Sequence, residues 1–285
     1  MLASDRVALV TGASSGIGEA AARSLASRGF RVVVAARRGE RLEALAKELS
    51  QAGREALPVV CDLSDEGDTQ ALVERALASY GRIDALVNNA GYSPGGAVEH
   101  FDRSALRRIF DVNLLGALQL IGAVAPVMRR QGGGRIVNVG SLGGSVAAPL
   151  AVPYGATKAG LDIATRGLRF ELAPWGIHVS LVVPGFVDTA VFENAREGAR
   201  DLREDPENPY RQLFFDLDDF AKKSLETALP PSAIGDVIAR AVTSRRPRLR
   251  YYAPFSARLQ SGFMGLIPEA WSNALLMRVY KIPRA

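Results

Sequence analysis

The sequence has few of the residues from which disulfide frameworks and metal centres are built. Its 285 residues include one cysteine, Cys61, and two histidines, His100 and His178, which are far apart along the chain. A single cysteine excludes an internal disulfide and is typical of a reducing compartment, so we expect a cytoplasmic protein. Without clustered histidine and cysteine ligands, we expect no metal site.

Long apolar runs are missing as well. No stretch approaches the roughly 18 consecutive apolar residues of a membrane-spanning helix, and the chain shows no charged-then-apolar leader. With 48% hydrophobic and 23% charged residues, the composition is that of an ordinary globular protein. The length fits one α/β domain with an appended segment.

Positive charge is unevenly placed. The chain has a formal charge of +5, but residues 240–285 carry +8 and residues 1–239 carry −3. Residues 255–280 combine some of these basic side chains with many large apolar ones. Such a segment can be a helix lying in a membrane interface, or it can pack over the mouth of a site or against a neighbouring subunit. Both interpretations stay open, and packing is the simpler.

Apolar runs typical of buried strands alternate six times with helical patterns. The predicted strands cover 7–10, 31–35, 57–61, 85–87, 135–139 and 178–183, and the fourth helix, 104–127, is expected to kink before Pro126. This alternation with short joins predicts a doubly wound parallel sheet, a Rossmann fold with helices on both faces. We predict a Rossmann-type domain over 1–253, with an irregular insert at about 190–230, and a C-terminal extension over 254–285.

A glycine-rich turn separates the first strand from the first helix. Glycines there let the backbone turn tightly and approach a pyrophosphate, whose charge faces the helix N-terminus. We therefore predict a dinucleotide-binding turn, the alternative being a tight turn without a ligand. The predicted contacts are Gly12, Ser14, Ser15, Gly16, Ile17 and Gly18.

The end of the second strand indicates which dinucleotide is bound. A site for NAD needs Asp or Glu there to hold the ribose 2′-hydroxyl. This chain has Ala36, Arg37 and Arg38 instead, and guanidinium groups suit a 2′-phosphate. We predict NADP(H) as the cofactor, although the two arginines could simply be solvated residues at the start of a helix.

Tyr154 and Lys158 are one helical turn apart and therefore share a helix face. An ammonium group beside a phenol favours the phenolate, so we expect Lys158 to lower the pKa of Tyr154 from its usual value of about 10. Tyr154 is thus a candidate acid/base for hydride transfer to or from a carbonyl. Pairs with this spacing are common on protein surfaces, and the pair alone is weak evidence.

Several motifs occur together in one order. They are Thr11-Gly12-x-x-x-Gly16-x-Gly18, Asn88-Asn89-Ala90-Gly91, Ser141, Tyr154-x-x-x-Lys158 and Pro184-Gly185. In this order the chain, over about residues 5–190, resembles the classical short-chain dehydrogenases/reductases. Its longer tail is similar to those of steroid- and retinol-type members.

The resemblance implies roles for individual residues. Tyr154 would exchange a proton with the substrate oxygen, and Ser141 would polarise that oxygen. Lys158 would also hold the nicotinamide ribose, and Asn113 would hold a water that links Lys158 to solvent. Further cofactor contacts implied by the resemblance are Asp62, Leu63, Asn89, Pro184, Val187 and Thr189. For Asn113 a structural amide, and for Asp62 a simple cap, are the alternatives.

The resemblance implies an enzyme that interconverts a carbonyl and an alcohol. The aromatic insert at 190–230 suggests a lid over a lipophilic substrate, although Phe214, Phe215 and Phe220 could equally be helix core. Two alternatives remain: reduction of a 3-oxoacyl thioester on an acyl carrier protein, and a non-catalytic NADP(H)-sensing regulator. We expect a small-molecule substrate, no nucleic acid, a homodimer or homotetramer, and peripheral membrane contact as an option for the tail.

Overall fold

A seven-stranded parallel sheet forms the centre of the computed structural model, which describes residues 5–282. The strand order is β3-β2-β1-β4-β5-β6-β7. The strands are β1 (Val7–Thr11), β2 (Arg31–Ala36), β3 (Ala56–Val60), β4 (Ala85–Asn88), β5 (Gly134–Val139), β6 (Ile177–Pro184) and β7 (Arg250–Ala253). The order changes direction between β1 and β4, the point at which open α/β sheets bind ligands. The predicted doubly wound Rossmann fold is confirmed.

Helices cover both faces of this sheet. They are α1 (Gly16–Ser27), α2 (Gly39–Gln51), α3 (Glu66–Tyr80), α4 (Arg103–Phe110), α5 (Gly116–Arg130), α6 (Val152–Leu172), α7 (Ala190–Gly198), α8 (Arg200–Glu204), α9 (Arg211–Leu225), α10 (Pro231–Thr243), α11 (Phe255–Leu266) and α12 (Glu269–Val279). One apolar layer packs α1, α2 and α10 on the sheet, and the other packs α3, α5 and α6. Strands buried from both sides read as continuous apolar runs, which is why the sequence identified them.

Helices α4 and α5 join through one wide π-helical turn, Asp111–Leu115. Helix α5 continues through Pro126, so the kink expected there does not end the helix and stays a prediction. By length and composition the whole stretch 103–130 could cross a membrane. Its residues Leu120 and Val124 are fully buried against the sheet, however, as in a core helix.

The chain after β6 has a different organisation. The insert forms α7, α8 and α9, and an isolated parallel bridge pairs Val187, before the insert, with Leu229, after it. The basic segment seen in the sequence is divided by the fold. Arg245, Arg246 and Arg248 precede β7, whereas the tail helices α11 and α12 start at its carboxyl end. Much of the positive charge after residue 239 is therefore not on the tail helices.

Candidate active site

One cavity of about 1070 Å³ lies at the carboxyl edge of the sheet. It is bounded by the ends of β1, β2, β4, β5 and β6, by α6, and by helices of the insert and the tail. Most of the predicted site residues line it: Gly12, Ser14, Ser15, Gly16, Ile17, Arg37, Arg38, Asp62, Leu63, Asn89, Ser141, Tyr154, Lys158, Pro184, Val187 and Thr189. The fold thus brings both halves of the predicted site into one space.

Gly18 and Asn113 do not line this cavity, although both were predicted as site residues. A Cβ atom on Gly18 would lie 2.3 Å from the carbonyl oxygen of Gly12. Gly18 therefore allows the first turn of α1 to pack directly against the glycine turn, and its contact with a cofactor stays a prediction.

The glycine turn and the turn after β4 are held together. Gly12 has a φ of +65°, and a Cβ there would lie 2.8 Å from Cα of Ala90. The hydroxyl oxygen of Thr11 accepts the amide N–H groups of Asn89 (3.0 Å) and Ala90 (3.1 Å). The side-chain amide of Asn89 donates back to the carbonyl oxygen of Thr11 at 2.9 Å. This leaves a bare backbone surface at the helix N-terminus, suited to a pyrophosphate.

The guanidinium group of Arg38 lies over the glycine turn. It donates to Oγ of Ser14 at 2.9 and 3.1 Å and to Oγ of Ser15 at 2.6 Å. Arg37 lines the cavity beside it, and the end of β2 carries no carboxylate. Positive charge with hydroxyl groups at this place fits a ribose that bears a 2′-phosphate.

Asp62 lies at the next strand end. Its carboxylate accepts from the amide (3.0 Å) and hydroxyl (2.7 Å) of Ser64 and pairs with Arg108 at 3.0 Å. Burial raises the pKa of Asp62, but the hydrogen bonds from Ser64 and the charges of Arg108 and Arg37 lower it by more. The net effect is a lowered pKa, so the carboxyl group stays ionised. The carboxylate thus holds its own loop while one side faces the cavity.

Ser141, Tyr154 and Lys158 form one wall of the cavity. Ser141 lies in the loop that follows β5, and its Oγ accepts a hydrogen bond from the amide of Gly143 at 3.1 Å. Nζ of Lys158 donates to the carbonyl oxygen of Val139 at 2.9 Å and lies 5.8 Å from the ring centroid of Tyr154. Helix α6 therefore presents the phenol and the amine on the same face, as the sequence predicted.

The ionisation of Tyr154 differs from the expectation. Burial raises its pKa, and the hydrogen bond with Ser141 offsets this only in part. Burial also lowers the pKa of Lys158 to about 8, because a buried ammonium group loses its hydration. The prediction that the pKa of Tyr154 lies below its usual value is wrong for the protein alone, because burial outweighs the contributions that lower it. In this state Tyr154 holds its proton and is ready to act as an acid.

Asn113 lies in the wide turn between α4 and α5 and is 1% exposed. Its Oδ1 accepts the amide of Tyr92 at 3.0 Å, and its Nδ2 donates to the carbonyl of Tyr92 at 2.8 Å and to Oγ1 of Thr157 at 3.3 Å. The side chain thus fixes the loop after β4 against α6. The role in a water relay stays a prediction.

The outer part of the cavity has an aromatic wall. Phe186 and Phe192 stack with ring centroids 5.4 Å apart, Phe220 meets Phe186 at 5.7 Å, and Tyr280 meets Phe220 at 5.5 Å. The tail contributes further lining residues: Phe263, Leu275, Leu276, Val279 and Tyr280. Sequence reasoning named none of these tail residues as site residues, because no motif marks them.

The aromatic residues of the insert have separate roles. Phe214 is buried in a small apolar cluster with Leu150 and Ala199, away from the main layers. Phe215 is 39% exposed, whereas Phe220 lines the cavity. The insert therefore has a core of its own, and it presents Phe220 to the site.

Comparisons with known proteins agree with this geometry. The family model for short chain dehydrogenases matches residues 6–200. The chain belongs to the short-chain dehydrogenase/reductase family and is an oxidoreductase. The uncharacterized oxidoreductase YusZ of Bacillus subtilis (strain 168) is 32% identical over 279 residues, which cover 96% of this chain and 99% of that protein.

Two solved structures illustrate the range of relatives. A variant of the actinorhodin polyketide ketoreductase, crystallised with NADPH, is 34% identical and has a TM-score of 0.76, with 88% of this chain and 97% of that chain covered. A short-chain dehydrogenase/reductase from Burkholderia phymatum in complex with NAD is 28% identical and has a TM-score of 0.80, with 93% and 95% covered. The fold is thus shared by proteins crystallised with either dinucleotide.

Proposed function

We propose that this enzyme interconverts a carbonyl and an alcohol on a lipophilic substrate and uses NADP(H). The observation that carries the proposal is the single cavity that joins the glycine turn and Arg38 to the wall of Ser141, Tyr154 and Lys158. A dinucleotide cradle beside a buried proton donor is the arrangement that hydride transfer to a carbonyl requires.

The proton chemistry belongs to the chain itself. When bound, NADPH supplies a hydride to the carbonyl carbon. Tyr154 donates its phenolic proton to the carbonyl oxygen, and its raised pKa keeps that proton in place at neutral pH. Ser141 donates a hydrogen bond to the same oxygen and stabilises the charge that develops there. The ammonium group of Lys158 stabilises the phenolate that remains; oxidation of the alcohol runs these steps in reverse.

The preference for NADP(H) rests on Arg38. Its guanidinium group, already aimed at Ser14 and Ser15, would hold the 2′-phosphate. With Ala36 at the end of β2, no carboxylate is available there for a ribose hydroxyl. The relative crystallised with NADPH supports this assignment, and the one crystallised with NAD makes it worth testing.

The lipophilic substrate is supported by the aromatic wall of Phe186, Phe192, Phe220 and Tyr280, which offers apolar surface beyond the reacting groups. In this proposal the insert and the tail close over the substrate. The second candidate is a 3-oxoacyl thioester, which the likeness to a polyketide ketoreductase favours. A regulator that only senses NADP(H) would have no need of the buried Tyr154.

Three further parts of the proposal concern the setting of the enzyme. We propose that the enzyme is cytoplasmic. We also propose a homodimer or homotetramer, since α6 has large apolar side chains on its outer face, among them Ile163 (62% exposed) and Phe170 (79% exposed). Size-exclusion chromatography with light scattering measures this. We also propose peripheral contact of the tail with a membrane.

The first experiment is an absorbance assay of nicotinamide oxidation with NADPH and with NADH. The panel contains a steroid ketone, a retinal, a short aliphatic ketone and an acetoacetyl thioester. We expect NADPH-dependent turnover of the bulky apolar members. Turnover of the thioester alone would favour the second candidate, and binding of NADPH without turnover of any member would favour the sensor.

A further inference from the structure

The outer face of α11 is apolar and open. Phe255, Leu259, Phe263 and Leu266 recur three or four positions apart, so they share one side of the helix, and each is more than half exposed. Ala257, on the opposite side, is 2% exposed and packs inward. The helix thus buries small residues and exposes its largest ones, the reverse of the usual pattern for a helix on a globular protein.

Helix α12 repeats this arrangement. Trp271, Leu275 and Val279 are four positions apart and are 70%, 41% and 41% exposed. Ser272 and Tyr280 face inward. Together the seven exposed side chains of α11 and α12 are called the tail face here. Exposed apolar side chains that are grouped in this way often mark interaction sites, whereas single ones are ordinary surface.

The tail face continues into the catalytic cavity. Phe263, Leu275 and Val279 belong to both, since each is at least 41% exposed and also lines the cavity. Leu266 and Trp271 belong to the tail face alone. Because Phe263, Leu275 and Val279 both line the cavity and reach solvent, the cavity opens to solvent at the tail face.

The charges around the tail face are sparse and mostly positive. Between 254 and 282 the cationic residues are Arg258, Arg278 and Lys281, and the one acid is Glu269. Lys281 pairs with Asp216 of α9 at 2.8 Å, which ties the end of the tail to the insert. Arg258 lies over the ring of Phe255, 5.8 Å from its centroid. An exposed Trp, aliphatic rows and flanking arginines together suit the interfacial region of a bilayer.

We propose that α11 and α12 dock on a lipid bilayer through the tail face, with the cavity mouth directed at the lipid, so that the substrate enters from the membrane. A protein seated on the same face would cover the mouth, whereas a fluid bilayer leaves it open to a lipophilic solute. Docking itself is independent of the catalytic assignment; the entry route rests on the proposed function.

The first test measures binding without cofactor or substrate. The intact protein is sedimented with vesicles of phosphatidylcholine and with vesicles of equal parts phosphatidylcholine and phosphatidylglycerol. We expect binding to both, stronger to the anionic vesicles. In a Trp175→Phe background, the remaining Trp271 should shift its emission to the blue when vesicles are added. A failure here overturns docking and leaves the catalytic proposal unaffected.

The matched variants are Leu266→Ser/Trp271→Ser on the tail face and Val60→Ser/Val98→Ser elsewhere. All four residues are exposed, and none lines the cavity. We expect vesicle binding to fall by about ten-fold or more in the first variant only, because each large side chain loses its apolar environment. Equal losses in both variants would overturn the proposal. So would a tail-face variant that changes the oligomeric state without changing vesicle binding, since the face would then contact a second copy.

The entry route has its own measurement. For a membrane-partitioned ketone presented in vesicles, Leu266→Ser/Trp271→Ser should raise KM by several-fold, while kinetics with a short water-soluble ketone stay unchanged. Equal effects on both ketones would overturn entry from the membrane, because a general disturbance of the site would explain them.

Discussion

The region through Pro184 and the region after it hold their parts of the site by different means. In the first region, backbone geometry fixes the groups of the site. The backbone turn at Gly12 packs against Ala90, and Lys158 donates a hydrogen bond to the carbonyl oxygen of Val139. In the second, side chains meet side chains, as Phe220 does with Phe186 and Tyr280. Backbone-fixed groups suit chemistry that tolerates little displacement, and side-chain packing suits a wall that can vary with the substrate. Substitutions in the first region should therefore affect turnover and the cofactor, and those in the second should affect the substrate.

The largest expected effect is that of Tyr154→Phe. Loss of the proton donor should lower kcat by about 10²–10⁴-fold, while NADPH binding, measured by fluorescence titration, changes little. Tyr80→Phe, a tyrosine at the end of α3 outside the cavity, is the control and should keep full activity. Full turnover by Tyr154→Phe would contradict the assignment of the acid.

Gly18→Ala tests how far backbone packing fixes the first region. The new Cβ would overlap the carbonyl of Gly12, so we expect the free energy of unfolding to fall by about 1–3 kcal/mol or more. Gly122→Ala, on an exposed side of α5 with no other atom within 4 Å, should instead raise it by up to about 1 kcal/mol. Urea denaturation measures both, and equal effects would show that the close approach at Gly18 is unimportant.

Arg38→Ala should separate the two dinucleotides. Loss of a charged hydrogen-bonding partner should weaken NADPH binding by about 10–100-fold, and NADH binding should change little. Arg41→Ala, in the first turn of the helix that follows Arg38 and outside the cavity, is the matched control. The comparison is made by titrating each variant with both dinucleotides. Equal weakening of NADPH and NADH would mean that Arg38 shapes the turn and does not recognise the phosphate.

The pH dependence of kcat/KM tests the pKa directions of Lys158 and Tyr154 that burial produces. Since the pKa of Lys158 is about 8, its charge is present below that pH and is lost above it. The raised pKa of Tyr154 keeps the phenol protonated over the same range. We expect kcat/KM for reduction to fall by about ten-fold per pH unit above 8. In Lys158→Arg the guanidinium stays charged, so this decline should disappear; a decline that persists would exclude Lys158 as its source.

The smallest expected effects lie in the second region. Tyr280→Ala should raise KM for a bulky apolar ketone by about ten-fold, because it removes buried apolar area, and should leave NADPH binding unchanged. Lys281→Ala breaks only a surface ion pair with Asp216, so the midpoint of urea denaturation should stay almost unchanged. If Lys281→Ala raised KM more than Tyr280→Ala did, the ion pair and not the packing would hold the tail.

The sheet, the glycine turn and the spacing of Tyr154 and Lys158 could all be predicted from the sequence alone. These features repeat with the periods of strand and helix, or they require glycine, so they are readable without neighbours. Arg38 could also be predicted, because it follows β2, and the carboxyl end of β2 lies beside the glycine turn that follows β1.

The pKa values of buried groups and the contacts between distant residues became known only from the folded chain. Burial raises the pKa of Tyr154, the opposite of what the neighbouring Lys158 alone suggested, and it lowers the pKa of Lys158. Arg245 and Arg258 are separated because one precedes β7 and the other follows it, so they lie at opposite ends of the strand. Tyr280 meets Phe220 although 60 positions separate them, and no local pattern records such a contact. Burial and long-range packing are properties of the folded chain, and for that reason the insert and the tail could be read only from its structure.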